Sequence, residues 1–400
     1  MKRYWTLIYV FVLVLASGGC AKKGMAPISE EDNPAHHYLV GMELLDKGDL
    51  GQAETHFDRA LKLAPKYPTA LAGQALTAAM RAEGFADAEH RAVELKRALK
   101  LFDQARDEAD GDSETFSVLV TGIRVYTQAK PKKWITEAQD LYDAAKRLKK
   151  AKPGELTYYR SLEAADYFMG VAAYKDLQFG DAEDLLAKVT QAPPGRWHQP
   201  AAALYKKVHK IVRATATYTL TNVARRIAIK EQVVRADVAA LLVDDLHLDR
   251  LMAGRIAVPG KQPKASFVPA DITANPFKSE IMIVLNWGLR GLEPKFDQTT
   301  QAYLFYPDGP IKRKELAFIL EDLLTKITGD ESIATAYFGQ NRSPYPDVSP
   351  SAPWFNAVMN AVSRNLMESG LSGAFRPEDT ADGAELLLAV LRLRDAMNIY

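Results

Sequence analysis

The sequence predicts an all-α protein: a solenoid of paired helices followed by a mainly helical module of three units. Three observations predict this. Apolar residues recur at helical spacing through most of residues 34–213. Within that stretch, a set of small, aromatic and proline positions returns at fixed gaps. Past Arg213 the pattern changes to a charged turn followed by an apolar helix, repeated three times.

Composition agrees with that division. A chain of 400 residues exceeds one ordinary core, so two or three domains are expected. Hydrophobic residues make up 48% and charged residues 25%, as in folded domains. The 51 basic and 50 acidic side chains leave a net charge of +1. A chain built to coat nucleic acid needs a basic excess, so no nucleic-acid partner is expected.

At the N-terminus, Lys2 and Arg3 precede an apolar run over 4–16, then Ser17-Gly18-Gly19-Cys20. The run is too short for the roughly 20 residues of a transmembrane helix and ends in small residues, the layout of a secretory signal peptide over 1–19. Cys20 is the single cysteine, so neither an intramolecular disulfide nor a cysteine metal cluster is expected. A cysteine directly after such residues resembles the lipobox of bacterial lipoproteins, although Ser17 stands where that family usually has an aliphatic residue. The resemblance implies an acylated Cys20 as first residue of the mature chain, held in a membrane by its acyl chains. Ala21 follows rather than the aspartate linked to inner-membrane retention, so an outer-membrane, periplasm-facing lipoprotein is expected. Residues 20–33 read as a polar tether, with Glu30, Glu31 and Asp32 as ordinary tether charges.

In the region 34–213, Gly41, Ala53, Phe57, Ala60 and Pro65 stand at successive gaps of 12, 4, 3 and 5. Gly170, Ala182, Leu186, Val189 and Pro194 repeat those gaps. Each set spans two predicted helices, 34–47 with 50–63 and 161–175 with 179–189. A small residue on the first helix lets the second approach, and residues at i and i+4 fill the gap. This pattern resembles the tetratricopeptide repeat. Degenerate copies of the second-helix face are Ala98, Phe102 and Ala105, then Ala138, Tyr142 and Ala145. About four units are expected, closed by a capping helix at 199–213. The resemblance implies a binding surface for a protein partner that the sequence does not identify. Basic clusters at 130–133 and 146–152 read as solvated helix ends.

The region 214–400 carries the second repeat, with units at about 214–258, 265–328 and 343–400. Its charged turns are Val234-Arg235-Ala236-Asp237, Lys312-Arg313-Lys314-Glu315, and 380–385, which has no arginine. Asp271 and Asp347 open the latter two units, and Phe305-Tyr306-Pro307 and Phe375-Arg376-Pro377 follow their first helices. This resembles the S-layer homology domain, which implies three units about a pseudo-threefold axis and grooves that bind peptidoglycan or another cell-wall polysaccharide. The glycan-binding candidates are Arg235, Asp237, Trp287, Gly288, Arg313, Glu315, Trp354 and Arg376. A guanidinium fork suits a ligand carboxylate, and an indole ring stacks on the apolar face of a sugar. For Arg235 and Arg313 the alternative is a structural salt bridge to Asp237, Glu315, Asp271 or Asp347. Trp354 and Phe375 are open to a core role, and Asp271 and Asp347 suit turn or helix caps.

No phosphate-binding glycine loop, nucleophile elbow or His-Glu-x-x-His pattern occurs. His36 and His37 are adjacent on a helix and point apart, so they make no metal site, and Asp244 and Asp245 read as surface charges. Neither cofactor, metal nor catalytic residue is expected. The functional expectation is an envelope lipoprotein that binds cell-wall glycan at one end and a protein along its repeats. The competing expectation is a scaffold of an outer-membrane secretion, pilus or polysaccharide-export machine that binds no glycan.

Overall fold

The computed structural model describes residues 25–216, 219–253 and 264–397; Cys20 and the predicted signal peptide lie outside the described residues. Among the described residues the fold is mostly helical, with 16 helices and 61% of residues helical. Among the described residues, no helix is long and apolar enough to cross a membrane. The chain divides into two compact units, one of residues up to Ala172 with Leu185–Ala201, the other of Ala173–Asp184 with Ala202 onward.

The first unit holds α1 (Pro34–Asp46), α2 (Leu50–Leu63), α3 (Pro68–Glu83), α4 (Ala88–Glu108), α5 (Asp112–Ala129) and α6 (Trp134–Arg147). Parts of α7 (Glu163–Lys175), α8 (Phe179–Gln191) and α9 (His198–Thr215) belong to it as well. Helix starts follow local chemistry. Asn33 and Asp49 accept hydrogen bonds from the amides of His36 and Gln52, and Pro34 and Pro68 occupy first-turn positions that need no donor.

The recurring small and aromatic positions are the packing code. Phe57 is fully buried, and a Cβ at Gly41 or at Gly73 would lie 2.5 Å or 2.4 Å from its ring. The ring thus fits only because two first helices, α1 and α3, lack a side chain where it lands. Phe102 repeats this against Gly122, where a Cβ would meet the ring at 2.3 Å, and Leu186 meets Gly170 at 3.0 Å. Ala53, Ala60, Ala98, Ala105, Ala138 and Ala182 are all fully buried. Each buried aromatic contributes on the order of 2–3 kcal/mol of apolar transfer.

Two features of this unit are absent from the sequence expectation. Asp32 is not a tether charge: it is 8% exposed and paired with Arg59 and, at 2.9 Å, with His37. The amide of Met25 also donates to the Lys62 carbonyl at 2.7 Å, so the chain before α1 is fastened to α2. The second feature is a cation–aromatic cluster that closes the unit on itself. Tyr158 donates to Asp46 at 2.6 Å, Arg124 and Arg196 lie 3.4 and 3.2 Å from the same carboxylate, and Arg196 sits 4.3 Å above the Tyr158 ring. Trp197 donates to the Tyr159 carbonyl at 2.7 Å.

The second unit contains α10 (Asn222–Ala228), α11 (Arg235–Asp244), α12 (Leu248–Ala253), α13 (Lys278–Asn286), α14 (Arg313–Thr328), α15 (Phe355–Ser363) and α16 (Gly383–Ala396). A hairpin of β1 (Lys295–Asp297) and β2 (Ala302–Leu304) pairs Phe296 with Tyr303. Its centre is a closed ring of three backbone hydrogen bonds. Val233 donates to Ala381 at 3.0 Å, Ala381 to Ile311 at 2.9 Å, and Ile311 to Val233 at 3.0 Å. All three residues are fully buried. The ring makes residues 233, 311 and 381 equivalent and places three turn-and-helix segments, α11, α14 and α16, around one pseudo-threefold axis.

Asp245 is not a surface charge. It is 5% exposed, accepts from the Thr221 hydroxyl at 3.0 Å, and burial raises its pKa. Glu321, at 3% exposure, joins α14 to α15 through the side-chain amides of Asn356 and Asn360.

Candidate functional site

The charged turns lie where the three segments meet, each at the start of its helix. Val234 and Lys312 precede α11 and α14, and their amides are capped by the carboxylates of Asp237 and Glu315 at 3.0 and 2.9 Å. An acid three residues into a helix reaches back to the free amide at its start, which explains the turn's acidic end. Asp237 is 1% exposed, and Lys230 donates to both its oxygens at 2.7 and 2.8 Å.

Arg235 and Arg313 point inward. Each is 3% exposed. Arg235 donates to the carbonyls of Phe305, Gly291 and Glu293 at 2.7, 2.8 and 2.8 Å. Arg313 donates to the carbonyls of Phe375 and Glu368 at 2.8 and 2.7 Å and pairs with the Glu385 carboxylate. Their guanidinium carbons sit 4.7 Å from the rings of Phe305 and Phe375. Burial lowers the pKa of both; for Arg313, with the nearby Arg376 charge adding to the effect, it falls to about 10. The two arginines therefore clamp one repeat to the next through its backbone. Neither expected salt bridge, to the turn's own acid or to Asp271 and Asp347, forms.

Asp271 and Asp347 have an equally regular role. Asp271 accepts from the amides of Phe305 and Tyr306 at 3.0 and 2.6 Å, and Asp347 from those of Phe375 and Arg376 at 2.8 and 2.6 Å. Tyr306 and Arg376 both adopt positive φ, 54° and 59°, so each carboxylate fastens a strained turn.

The other candidates divide between two places. Trp287 and Gly288 end α13, where Lys326 donates to the Gly288 carbonyl at 2.7 Å. Trp354 and Arg376 lie with Lys312, Lys314 and Glu378 on the outer side of the Arg313 clamp. The Lys314 ammonium is 4.3 Å from the Trp354 ring, and Lys312 pairs with Glu378 at 2.7 Å while Lys314 also contacts it. Hydrogen bonds from these lysines lower the Glu378 pKa, and the Lys312 pKa rises in return. Arg376 is exposed and lies 3.5 Å from Asp379. This face offers three cations and an aromatic plane with two close acids, Glu378 and Asp379, an arrangement whose net positive charge suits an anionic, ring-shaped ligand.

A search against protein families matches residues 344–387 to the S-layer homology domain. Residues 344–387 form an S-layer homology domain. No curated protein and no solved structure gives a significant match. The S-layer homology domain associates the chain with the cell wall and the envelope. Within it lie Asp347, Trp354, Phe375, Arg376 and Gly383, so its boundaries enclose the Asp347-fastened turn and most of the cationic face. Lys312 and Lys314, which complete that face, come from the preceding segment. No group of three or more acidic, histidine or cysteine side chains fit to hold a metal occurs among the described residues.

Sequence reasoning missed two lysines of this face and an aromatic group elsewhere in the unit. Lys312 and Lys314 flank the arginine that drew attention, and their exposure, not their type, distinguishes them. Phe267 and the hairpin residues Phe296 and Tyr303 form an exposed aromatic group, the centroids of Phe267 and Phe296 lying 6.0 and 5.2 Å from that of Tyr303. The hairpin is too short to leave an alternating pattern that a sequence reading detects.

Proposed function

We propose that this protein is an envelope-tethering lipoprotein without enzymatic activity. Acyl chains on Cys20 hold it in the outer membrane. Its paired helices form a solenoid of tetratricopeptide type that holds a protein partner, and its three-unit C-terminal module binds peptidoglycan or a linked acidic polysaccharide. The observation that carries the glycan reading is the Lys312–Lys314–Trp354–Arg376 face bordering the S-layer homology domain. A ligand carboxylate there displaces Glu378 from its lysines while a sugar ring lies against the indole. The partner reading is supported by a cavity of about 390 Å³ in the first unit, lined by Tyr38, Tyr67, Asp112, Glu114 and Lys150. Anchoring at two ends raises the local concentration of whatever the helices hold.

Retention of the full chain on purified sacculi tests the glycan role. Lys314→Ala with Arg376→Ala is expected to lower retention about tenfold and the melting temperature by no more than a few degrees, as loss of these partly exposed cations costs at most about 1 kcal/mol of stability. Unchanged retention, or no retention of the wild-type chain, overturns the reading. Mass spectrometry of the mature N-terminus, with membrane fractionation, tests the anchor at Cys20.

A further inference from the structure

The second unit contains a cleft of about 580 Å³ between α9 and α16, next to Glu368, whose carbonyl accepts from Arg313. One wall is the face of α9 that presents Lys206, His209, Lys210 and Arg213, at helical spacing i, i+3, i+4 and i+7. The other is the face of α16 that presents Leu388, Leu391, Arg392 and Asp395, at the same spacing, with Asn365 and Glu368 closing the end. Cations from Lys206, Lys210, Arg213 and Arg392 outnumber the two carboxylates of Glu368 and Asp395. His209 is engaged with Glu183 at 2.5 Å.

Arg392 is the distinguishing group. Its side chain is 18% exposed, and Nη2 donates to Glu368 at 2.7 Å. Nη1 is buried and has no hydrogen-bond partner. A buried guanidinium donor left unpaired carries a desolvation cost, and the charge of this group adds to the positive lining of the cleft. Although burial raises the Glu368 pKa, the bond from Arg392 and the charges of Lys210 and Arg213 outweigh it and lower the pKa overall. Even with that carboxylate ionised, the cleft keeps an excess of positive charge.

We propose that this cleft binds an anionic ligand of sugar size, carrying a carboxylate or a phosphate. The anion meets Lys210 and Arg213 beside the Arg392 guanidinium, and the ligand's body lies against Leu388 and Leu391. The volume is in the range of small-molecule sites, roughly 300–1,000 Å³. The inference does not rest on the glycan reading of the Lys314 face, because it uses a different set of residues.

Calorimetric titration of the full chain in detergent tests it, with glucuronate, glucose 6-phosphate, inorganic phosphate and uncharged glucose as probes. Glucuronate or glucose 6-phosphate is expected to bind more tightly than glucose, and the preference between them identifies the anion. Lys210→Glu with Arg213→Glu, placed in the Lys314→Ala, Arg376→Ala chain so that the face beside Trp354 does not contribute, is expected to weaken that binding about tenfold or more with an unchanged melting temperature; Lys188→Glu in the same chain is expected to leave it unchanged. If the double reversal lowers the melting temperature, Lys210→Gln with Arg213→Gln gives the same comparison at smaller perturbation, with weakened binding expected. Equal binding of charged and uncharged sugars, or unaltered binding to the substituted chain, overturns the proposal. Inorganic phosphate binding as tightly as glucose 6-phosphate overturns its sugar-sized part.

Discussion

The three junctions around the backbone ring are equivalent in position and different in what fills them. At the first, Arg235 gives its guanidinium to three carbonyls of the next segment. At the second, Arg313 gives donors to two carbonyls and one to the Glu385 carboxylate. At the third, the equivalent residue is Gly383, whose amide donates to the Lys230 carbonyl at 2.8 Å, as Arg235 and Arg313 donate to Gly309 and Asp379 at 3.0 and 2.9 Å. A Cβ on Gly383 would lie 1.7 Å from the Ile227 carbonyl oxygen. The missing arginine is therefore not a lost ligand contact. The third junction closes by direct backbone approach, and the first two close through a long side chain that spans a wider gap.

That comparison can be broken by substitution, read by urea denaturation. The largest effect is expected for Arg313→Ala, which leaves the Glu385 charge buried without its partner and costs about 3–5 kcal/mol. Arg235→Ala is expected to cost less, about 2–3 kcal/mol, because only neutral carbonyls lose their donors. Equal costs would mean that the ion pair adds nothing to the clamp. Gly383→Ala is expected to cost about 1–3 kcal/mol through overpacking, while Gly383→Arg is expected to be worse, because no spanning gap exists for it to fill. A stable Gly383→Arg chain would show the junctions to be interchangeable.

Much of this architecture was legible in the sequence, for different physical reasons in the two regions. Phe57 and its fixed distance from Gly41 announce their packing, because helix pairing depends on local periodicity and on side-chain volume. The recurring Asp271 and Asp347 announce turn caps, since a carboxylate that fastens two amides leaves the same residue type at the same place in each copy. The arginines were legible as important and not as to role. Type and spacing are the same for a guanidinium that meets a ligand and for one that meets three carbonyls; burial decides, and burial is a property of the assembled junction. The Asp46 cluster was invisible for a related reason. Tyr158 and Arg196 lie 112 and 150 positions from Asp46, so no local window contains the contact. Lys312 and Lys314 were passed over because a lysine beside an arginine carries no distinguishing pattern until one is found outside and the other inside.

The smallest effect is expected at Glu321, where α14 and α15 meet, and it separates the buried acid there from the buried acid of the Arg313 clamp. Burial raises the Glu321 pKa above its ordinary value of 4.5, and hydrogen bonds from Asn360 and Asn356 and the Arg290 charge 3.3 Å away oppose the shift without cancelling it. A carboxyl with a raised pKa binds its proton more tightly in the folded chain than in the unfolded one. Its contribution therefore favours the fold below pH 4.5 and declines as pH rises through the raised value. Glu321→Gln keeps an acceptor for Asn360 and removes the titration. The substituted chain is expected to be slightly less stable than wild type at pH 4 and to lose that deficit by pH 7. Glu385→Gln is expected to do the opposite at pH 7, lowering stability, because its partner Arg313 is buried with it, whereas the Arg290 beside Glu321 is half exposed. Melting temperatures for both substitutions at the two pH values distinguish an acid that the fold tolerates from one that it uses.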